Sequence, residues 1–188
     1  MMKLTAVLVT ILTAGTAHAD GLEVSIGLGA ATSTGDVGDG MKAGDLIGSA
    51  GQVDLSIGGR VAKNLSLAFY ANAQAGTGGA YTGAAGIAAD LHLRPGREVD
   101  PFVRLGSGVR SYLVSDDGTT IGVGAELVRF ELGADIHVDR SWSIGPVVGA
   151  AATLYGAEKR PMEDFHELSG KGINWTFTAG VAGRFSTR

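Results

Sequence analysis

The stretch Gln52-Val53-Asp54-Leu55-Ser56-Ile57-Gly58-Gly59-Arg60-Val61 decides the fold. Positions 53, 55, 57 and 61 are Val, Leu, Ile and Val, whereas positions 52, 54, 56 and 60 are Gln, Asp, Ser and Arg. Successive side chains of a strand point to opposite faces, so this period of two predicts a β-strand with one apolar and one polar side. The same alternation recurs outward from this stretch, in eight successive segments between Leu22 and Phe185.

The first segment covers about 22–31, with Leu22, Val24, Ile26 and Leu28 apolar, and the second 49–62. A tight Lys63-Asn64 turn leads to a third over 65–75, and a fourth covers 81–94 before Pro95-Gly96 breaks it. The fifth runs from Pro101 to about Leu113, the seventh over 141–155 and the eighth over 173–185. The sixth changes phase. Ile121, Val123, Ala125 and Leu127 are apolar on odd numbers, Val128, Phe130, Leu132, Ala134 and Ile136 on even ones. A shift near Glu126–Val128 predicts a β-bulge. Each segment has at least the ~9–11 residues a tilted transmembrane strand needs. Connections at 63–64, 94–100 and 139–140 are short, those at 32–48, 114–124 and 156–171 long, and 76–80 is a modest exception. Short turns at one rim, long loops at the other and an even strand count predict an all-β, closed, eight-stranded antiparallel up-and-down transmembrane β-barrel.

Alternation alone does not say which face is inside, because a soluble ligand-carrying barrel has the same period with apolar residues inward. The polar faces choose. They carry no lysine; beyond Lys3 the chain has only Lys42, Lys63, Lys159 and Lys171, all between segments. Their charges nearly balance: Glu23, Asp54, Asp90, Glu131 and Asp135 against Arg60, Arg94, Arg104, Arg110, Arg129 and Arg184. Buried ions need partners, so this set is expected to form a charge network in the lumen, with a polar interior and an apolar exterior. Aromatic residues near strand ends are expected to form two girdles at the lipid headgroups: Tyr81, Tyr155 and Trp175 at the long-loop rim, and Phe102, Trp142 and Phe185 at the other.

Residues 1–19 read as a secretory signal peptide, with Lys3 before an apolar run over 4–15 and Ala17-His18-Ala19 as a cleavage site. The barrel domain would be 20–188. Without Lys3 the chain has 14 basic and 19 acidic residues, and no basic patch suggests nucleic acid. There is no cysteine among the 188 residues, so no disulfide holds the fold.

On this pattern the chain resembles the small eight-stranded outer-membrane β-barrels of Gram-negative bacteria, the OmpX and opacity types and the OmpA transmembrane domain. The resemblance implies an outer-membrane location, with membrane lipid and lipopolysaccharide as surroundings and an extracellular ligand or protein at the long loops; a monomer is expected. Members commonly end on an aromatic residue, for which the nearest match here is the stretch 180–185 ending in Phe185, followed by Ser186-Thr187-Arg188. Some such barrels are lipid A deacylases or palmitoyltransferases. The deacylase type needs His-x-Ser on one strand face, and here His92 leads to Arg94, His137 to Asp139 and His166 to Leu168. The palmitoyltransferase type needs His, Asp and Ser at the outer rim, where His166 with Ser115-Asp116 is the available set.

His92 and His137 fall on the polar parity and are expected in the interior network; no HxH or HxxxH pair suggests a metal, and no cofactor is expected. The Gly-x-Gly pairs at 27/29, 106/108 and 122/124 have no following helix and are expected to relieve crowding in the lumen rather than cradle phosphate. The loop carboxylates Asp36, Asp39, Asp45, Asp116, Asp117, Glu158, Glu163, Asp164 and Glu167 read as a solvated surface, or more sharply as groups sharing divalent cations with lipopolysaccharide. The leading expectation is a non-enzymatic barrel with a structural or surface-interaction role. A narrow ion or small-solute channel is the alternative, ahead of a lipid A-modifying enzyme and a soluble carrier.

Overall fold

Backbone amides in a two-faced strand must find partners on both edges, and a closed ring of strands supplies them without leaving an edge. The computed structural model describes residues 21–38, 40–77, 79–115, 119–162 and 164–187. The signal peptide expected over 1–19, the loop acids Asp39, Asp116, Asp117 and Glu163, and Arg188 lie outside them. The elements in chain order are β1 (Leu22–Thr34), β2 (Asp36–Gly38), β3 (Met41–Lys42), the short helix α1 (Ala43–Ile47), β4 (Ser49–Ala62), β5 (Leu65–Gly76), β6 (Ala80–His92), β7 (Val99–Ser115), β8 (Thr119–His137), β9 (Trp142–Lys159), β10 (His166–Glu167) and β11 (Ile173–Ser186). Eight long strands, β1, β4 to β9 and β11, pair antiparallel with their chain neighbours. The ring closes where β11 lies against β1, from Glu23↔Ser186 to Thr34↔Trp175. Thr187 extends this seam, its N–H donating to the Leu22 carbonyl at 2.9 Å and its Oγ1 accepting from the Leu22 N–H at 2.8 Å.

The predicted bulge is present. Gly106 pairs with Arg129 and Gly108 with Glu126, so Leu127 and Val128 together oppose Ser107. Both are exposed, and the Ser107 hydroxyl donates to the Glu126 carbonyl at 2.9 Å. Because two consecutive residues turn outward, Glu126 and Arg129 both turn inward.

Four expectations need correcting at the rims. The segment 114–124 is not a long loop: β7 runs on to Ser115 and β8 starts at Thr119, so most of it belongs to the wall. The segment 32–48 is not an open loop: β1 runs on to Thr34, and β2, β3 and α1 fold back over the barrel mouth. Strand β9 runs on to Lys159, so Glu158 belongs to the wall rather than to a loop. Strand β6 ends at His92, which leaves Arg94 exposed in the following turn instead of in the lumen; Pro95 and Gly96 forbid the ladder from continuing there.

Burial follows parity. Leu28 is 65% exposed and Val53, Leu55 and Ile57 about half, while Arg110 is 1% and Glu126 0% exposed. At the long-loop end the interior turns apolar. Val37, Ala43 and Leu168 bury themselves against Tyr112 and Tyr155, and Ile47 packs with Ala31 and Ala50. The two tyrosine rings meet edge to face at 5.1 Å. Gly122 makes room for one of them, since a Cβ there would lie 2.0 Å from the Tyr112 ring.

At the opposite end the β8–β9 turn is held by Asp139, whose Oδ1 accepts from the N–H groups of Ser141 at 2.6 Å and Trp142 at 2.8 Å. These two bonds hold its carboxyl below the ordinary value of 3.8. A depressed folded-state pKa adds stability that is present above the unfolded pKa and is lost as pH falls through the folded one. NMR titration of the folded protein should therefore place Asp139 below a model-peptide aspartate, and D139N should remove its share of the acid-limb loss of stability.

Candidate functional site in the charged barrel interior

Three neighbouring strands set the central row. Asp90 on β6 pairs in register with Arg104 on β7, and Arg104 with Glu131 on β8. Arg104 grips Asp90 with Nε at 2.6 Å and Nη2 at 2.7 Å, a bidentate geometry that only a guanidinium fork provides. Its Nη1 reaches Glu131 at 3.4 Å.

Towards the long loops, Glu126 is the hub. Its Oε2 accepts from Arg110 Nη2 at 2.7 Å and Nε at 3.0 Å. Its Oε1 accepts from Arg129 Nε at 2.7 Å and from the Tyr70 hydroxyl at 2.7 Å. The Arg129 guanidinium lies over the Tyr70 ring, 4.7 Å from its centroid, and its Nη1 links on to Glu131 at 3.0 Å. Asp54 stands 3.9 Å from the same nitrogen and accepts from Gln52 at 2.5 Å. Gln52 in turn accepts from Gln74 at 2.7 Å.

Towards the short turns, Arg184 lies 4.7 Å over the Phe102 ring, 3.2 Å from Asp90 and 3.5 Å from Asp135. His92 bridges Asp100, 2.9 Å from its Nδ1, and Arg184, 2.9 Å from its Nε2. Since Arg184 has only donors, His92 Nε2 accepts and Nδ1 carries the proton to Asp100. Glu23 takes Arg60 at 2.8 Å.

Ten of the eleven charged residues singled out in the sequence therefore sit in one chain of contacts, with Arg94 apart. Glu126 and Asp100 were missed. Both fall on the polar parity of their strands, but Glu126 stands at the phase change and Asp100 precedes Pro101, a residue that in sequence marks a strand start. Glu158, missed as a loop residue, is buried; it accepts from the Tyr112 hydroxyl and from Arg160 at 2.8 Å. His137 is half-buried at the end of β8, its backbone N–H on the Glu98 carbonyl.

The aromatic set divides. Tyr81, Trp142 and Trp175 are exposed on the outer wall, and Phe185 packs against Trp142 at 5.1 Å. Phe102 and Tyr155 are buried, not in a girdle. Phe102 shares the even, inward parity of Arg104 and Arg110, and Tyr155 falls opposite the outward Leu154, so both rings fill the interior.

Among the described residues no group of three or more His, Asp or Glu side chains is placed to hold a metal ion. Between Gln52, Asp54, Arg104, Glu131 and Arg184 remains a cavity of about 40 Å³, room for a few waters. Chemically, the arrangement neutralises charge against charge within the lumen.

No known family model matches the sequence, and no curated protein does. Solved structures do. Neisserial surface protein A superposes with a TM-score of 0.61 at 12% identity, over 87% of this chain and 96% of that one. The N-terminal β-barrel domain of Pseudomonas aeruginosa OprF gives 0.53 at 14% identity, covering 90% and 98%. The outer-membrane protein OprG of the same organism gives 0.51 at 13%, covering 89% and 97%. The fold is that of the small eight-stranded outer-membrane barrels. At these identities the likeness is one of architecture, and within an eight-stranded outer-membrane barrel the interior is expected to be filled by side chains, as here.

The hub gives a direct test. E126Q removes the charge that Arg110 and Arg129 share and leaves two buried cations under-compensated, a loss expected to be about 3–5 kcal/mol. Urea unfolding of detergent-folded protein should register it as a lower midpoint, and E126Q/R129Q should recover part of it in a double-mutant cycle.

Proposed function

We propose that residues 1–19 are a cleaved signal peptide and that 20–188 form a monomeric barrel in the outer membrane of a Gram-negative bacterium. Its role is non-enzymatic, structural or interactive, with the long loops facing out of the cell among lipopolysaccharide and offering contact to an extracellular ligand or protein. The observation that carries this reading is the outer wall. Ile26, Leu28, Val53, Leu55, Ile57, Ile87, Leu105, Val109, Val148 and Val181 are all at least 49% exposed. In water a continuous belt of this kind drives association; against hydrocarbon it needs no partner.

The interior supports the non-conducting form of the reading. Its guanidinium groups are held by carboxylates of the same lumen, and the mouth is packed with Val37, Ile47 and Leu168. The channel alternative draws on the small cavity beside Arg104. The enzyme alternative draws on His166 at the outer rim, where Asp116 lies outside the described residues.

Cell fractionation should place the protein in the outer membrane, and unheated samples should migrate differently from boiled ones on gels. Recovery from periplasm without detergent would overturn the membrane reading. In planar bilayers the reading expects no reproducible conductance; steps that vanish in R104A or D135A would establish the channel instead. Unchanged lipid A mass spectra on overexpression are expected, and a new acylation pattern would establish the enzyme.

A further inference from the structure

The five arginines of the lumen are paired, but three cations at the short-turn rim are not. Lys63, in the β4–β5 turn, and Arg94 and Arg97, in the β6–β7 turn, line one concavity of about 590 Å³ together with Pro95, Glu98 and Val99. All three cations are exposed, and among the described residues none of them makes an ion pair. Like charges gathered in this way repel one another, so the arrangement needs a physical reason to hold its shape.

The backbone supplies it. Arg94-Pro95-Gly96-Arg97 is a type II turn: the Arg97 N–H donates to the Arg94 carbonyl at 3.1 Å, Pro95 sets the second position and Gly96 has the required positive φ of 82°. The turn therefore presents its two arginines at its paired ends. Its base is pinned by Asp100, which accepts the Arg94 N–H at 2.9 Å while its other oxygen holds His92. The neighbouring turn is tied on through the His92 N–H and the Asn64 carbonyl, 2.8 Å apart. Around this rigid cationic cup stand exposed apolar side chains, Leu93 at 57% and Val99 at 46%. One carboxylate, Glu98, faces three cations.

Cations bordering the edge of the apolar wall match a ligand with a phosphate and hydrocarbon in one molecule. We propose that this cup binds the headgroup phosphate of an anionic phospholipid in the leaflet at the short-turn rim, with Lys63, Arg94 and Arg97 on the phosphate and Leu93 and Val99 beside the acyl chains. The proposal rests on the membrane reading above. It makes the short-turn rim a lipid-anchoring surface that fixes the height of the barrel in the bilayer.

The test is the full folded chain in nanodiscs of mixed phosphatidylglycerol and phosphatidylcholine, ejected into a native mass spectrometer. Retained phosphatidylglycerol should exceed phosphatidylcholine by at least roughly fivefold, the factor that about 1 kcal/mol from even one of the three basic residues near an anionic surface supplies. K63Q/R94Q/R97Q should bring the ratio near unity, and added salt should lower it. K42Q/K159Q, at the opposite rim, should leave it unchanged. If the triple variant does not fold, K63Q and R97Q singly should each lower the ratio in part. Equal retention of both lipids, a triple variant with wild-type preference, or displacement by inorganic phosphate at the concentration of the lipid would each overturn the proposal while leaving an inserted barrel intact. Failure of the wild-type chain to insert into the discs would overturn the membrane reading, and the lipid site with it.

Discussion

Charge buried inside a closed cylinder of backbone must be neutralised by charge from the same cylinder, and the rest of this structure is arranged around that requirement. Taking one guanidinium or carboxylate out of water costs several kcal/mol even after relaxation, and only a well-placed partner with further hydrogen bonds offsets it. Glu126 meets the condition with five hydrogen bonds from Arg110, Arg129 and Tyr70 at 3.0 Å or less or 3.3 Å in the longest case. The bulge at Leu127-Val128 is a consequence. A regular strand would place residues 126, 128 and 130 inward, putting Val128 and Phe130 where Arg129 and Glu131 now sit. Inserting one extra residue swaps the faces of everything after it, so the upper half of β8 delivers the Glu126 carboxylate and the lower half Arg129 and two further carboxylates, Glu131 and Asp135, to the same lumen.

This explains why most of the fold was legible in the sequence. A strand with an exposed apolar face on one side and an ion-paired lumen on the other tolerates few exceptions, so parity is written clearly in β1, β4, β5 and β11. Even the irregularity in β8 announced itself, because the apolar positions jumped from odd to even numbers. Legibility failed at strand ends, where neither environment acts alone. Glu158 lies on β9 above the level at which the outer wall must be apolar, so its neighbours Ala157 and Lys159 carried no alternation. Asp100 was hidden by Pro101, which reads as a strand start although β7 begins at Val99. Phe102 and Tyr155 were assigned by residue type rather than by parity; an aromatic ring near a rim serves equally as a headgroup anchor or as interior filling, and only the face it occupies distinguishes the two. The plug built from β2, β3, α1 and Leu168 had no periodic signature, being made of single contacts between loops.

The two ends of the barrel are sealed by different means. At the short-turn end the lumen closes on polar contacts, with Asp100, His92, Arg184 and Asp135 in one cluster over the Phe102 ring. At the long-loop end it closes on apolar ones, Val37, Ala43 and Leu168 against two tyrosines. The difference follows from what each closure can use. Short turns have no spare residues to fold inward, so the seal there must come from strand side chains already inside. Long loops have spare chain, and apolar side chains from it can fill a wider mouth without adding further charge to be neutralised.

A barrel filled in this way has little freedom left in its centre. Arg104 is held by Asp90 on β6, Glu131 on β8 and Ser56 on β4, and Glu126 by Tyr70 on β5 and Arg110 on β7, so moving either disturbs several pairings at once. Chemistry that varies between members of such an architecture must then be carried where pairing constraints end: on the loops and turns beyond the last ladder bonds. There the sequence of this chain diverges sharply between rims, with Lys63, Arg94, Arg97 and Arg140 in the short turns and an excess of carboxylates in the long loops. Neither distribution is required by the strands, whose amides are already paired and whose charges are already matched inside. The charges at the rims are free of the constraint that governs the interior, and for that reason their sign and number can differ between the two ends.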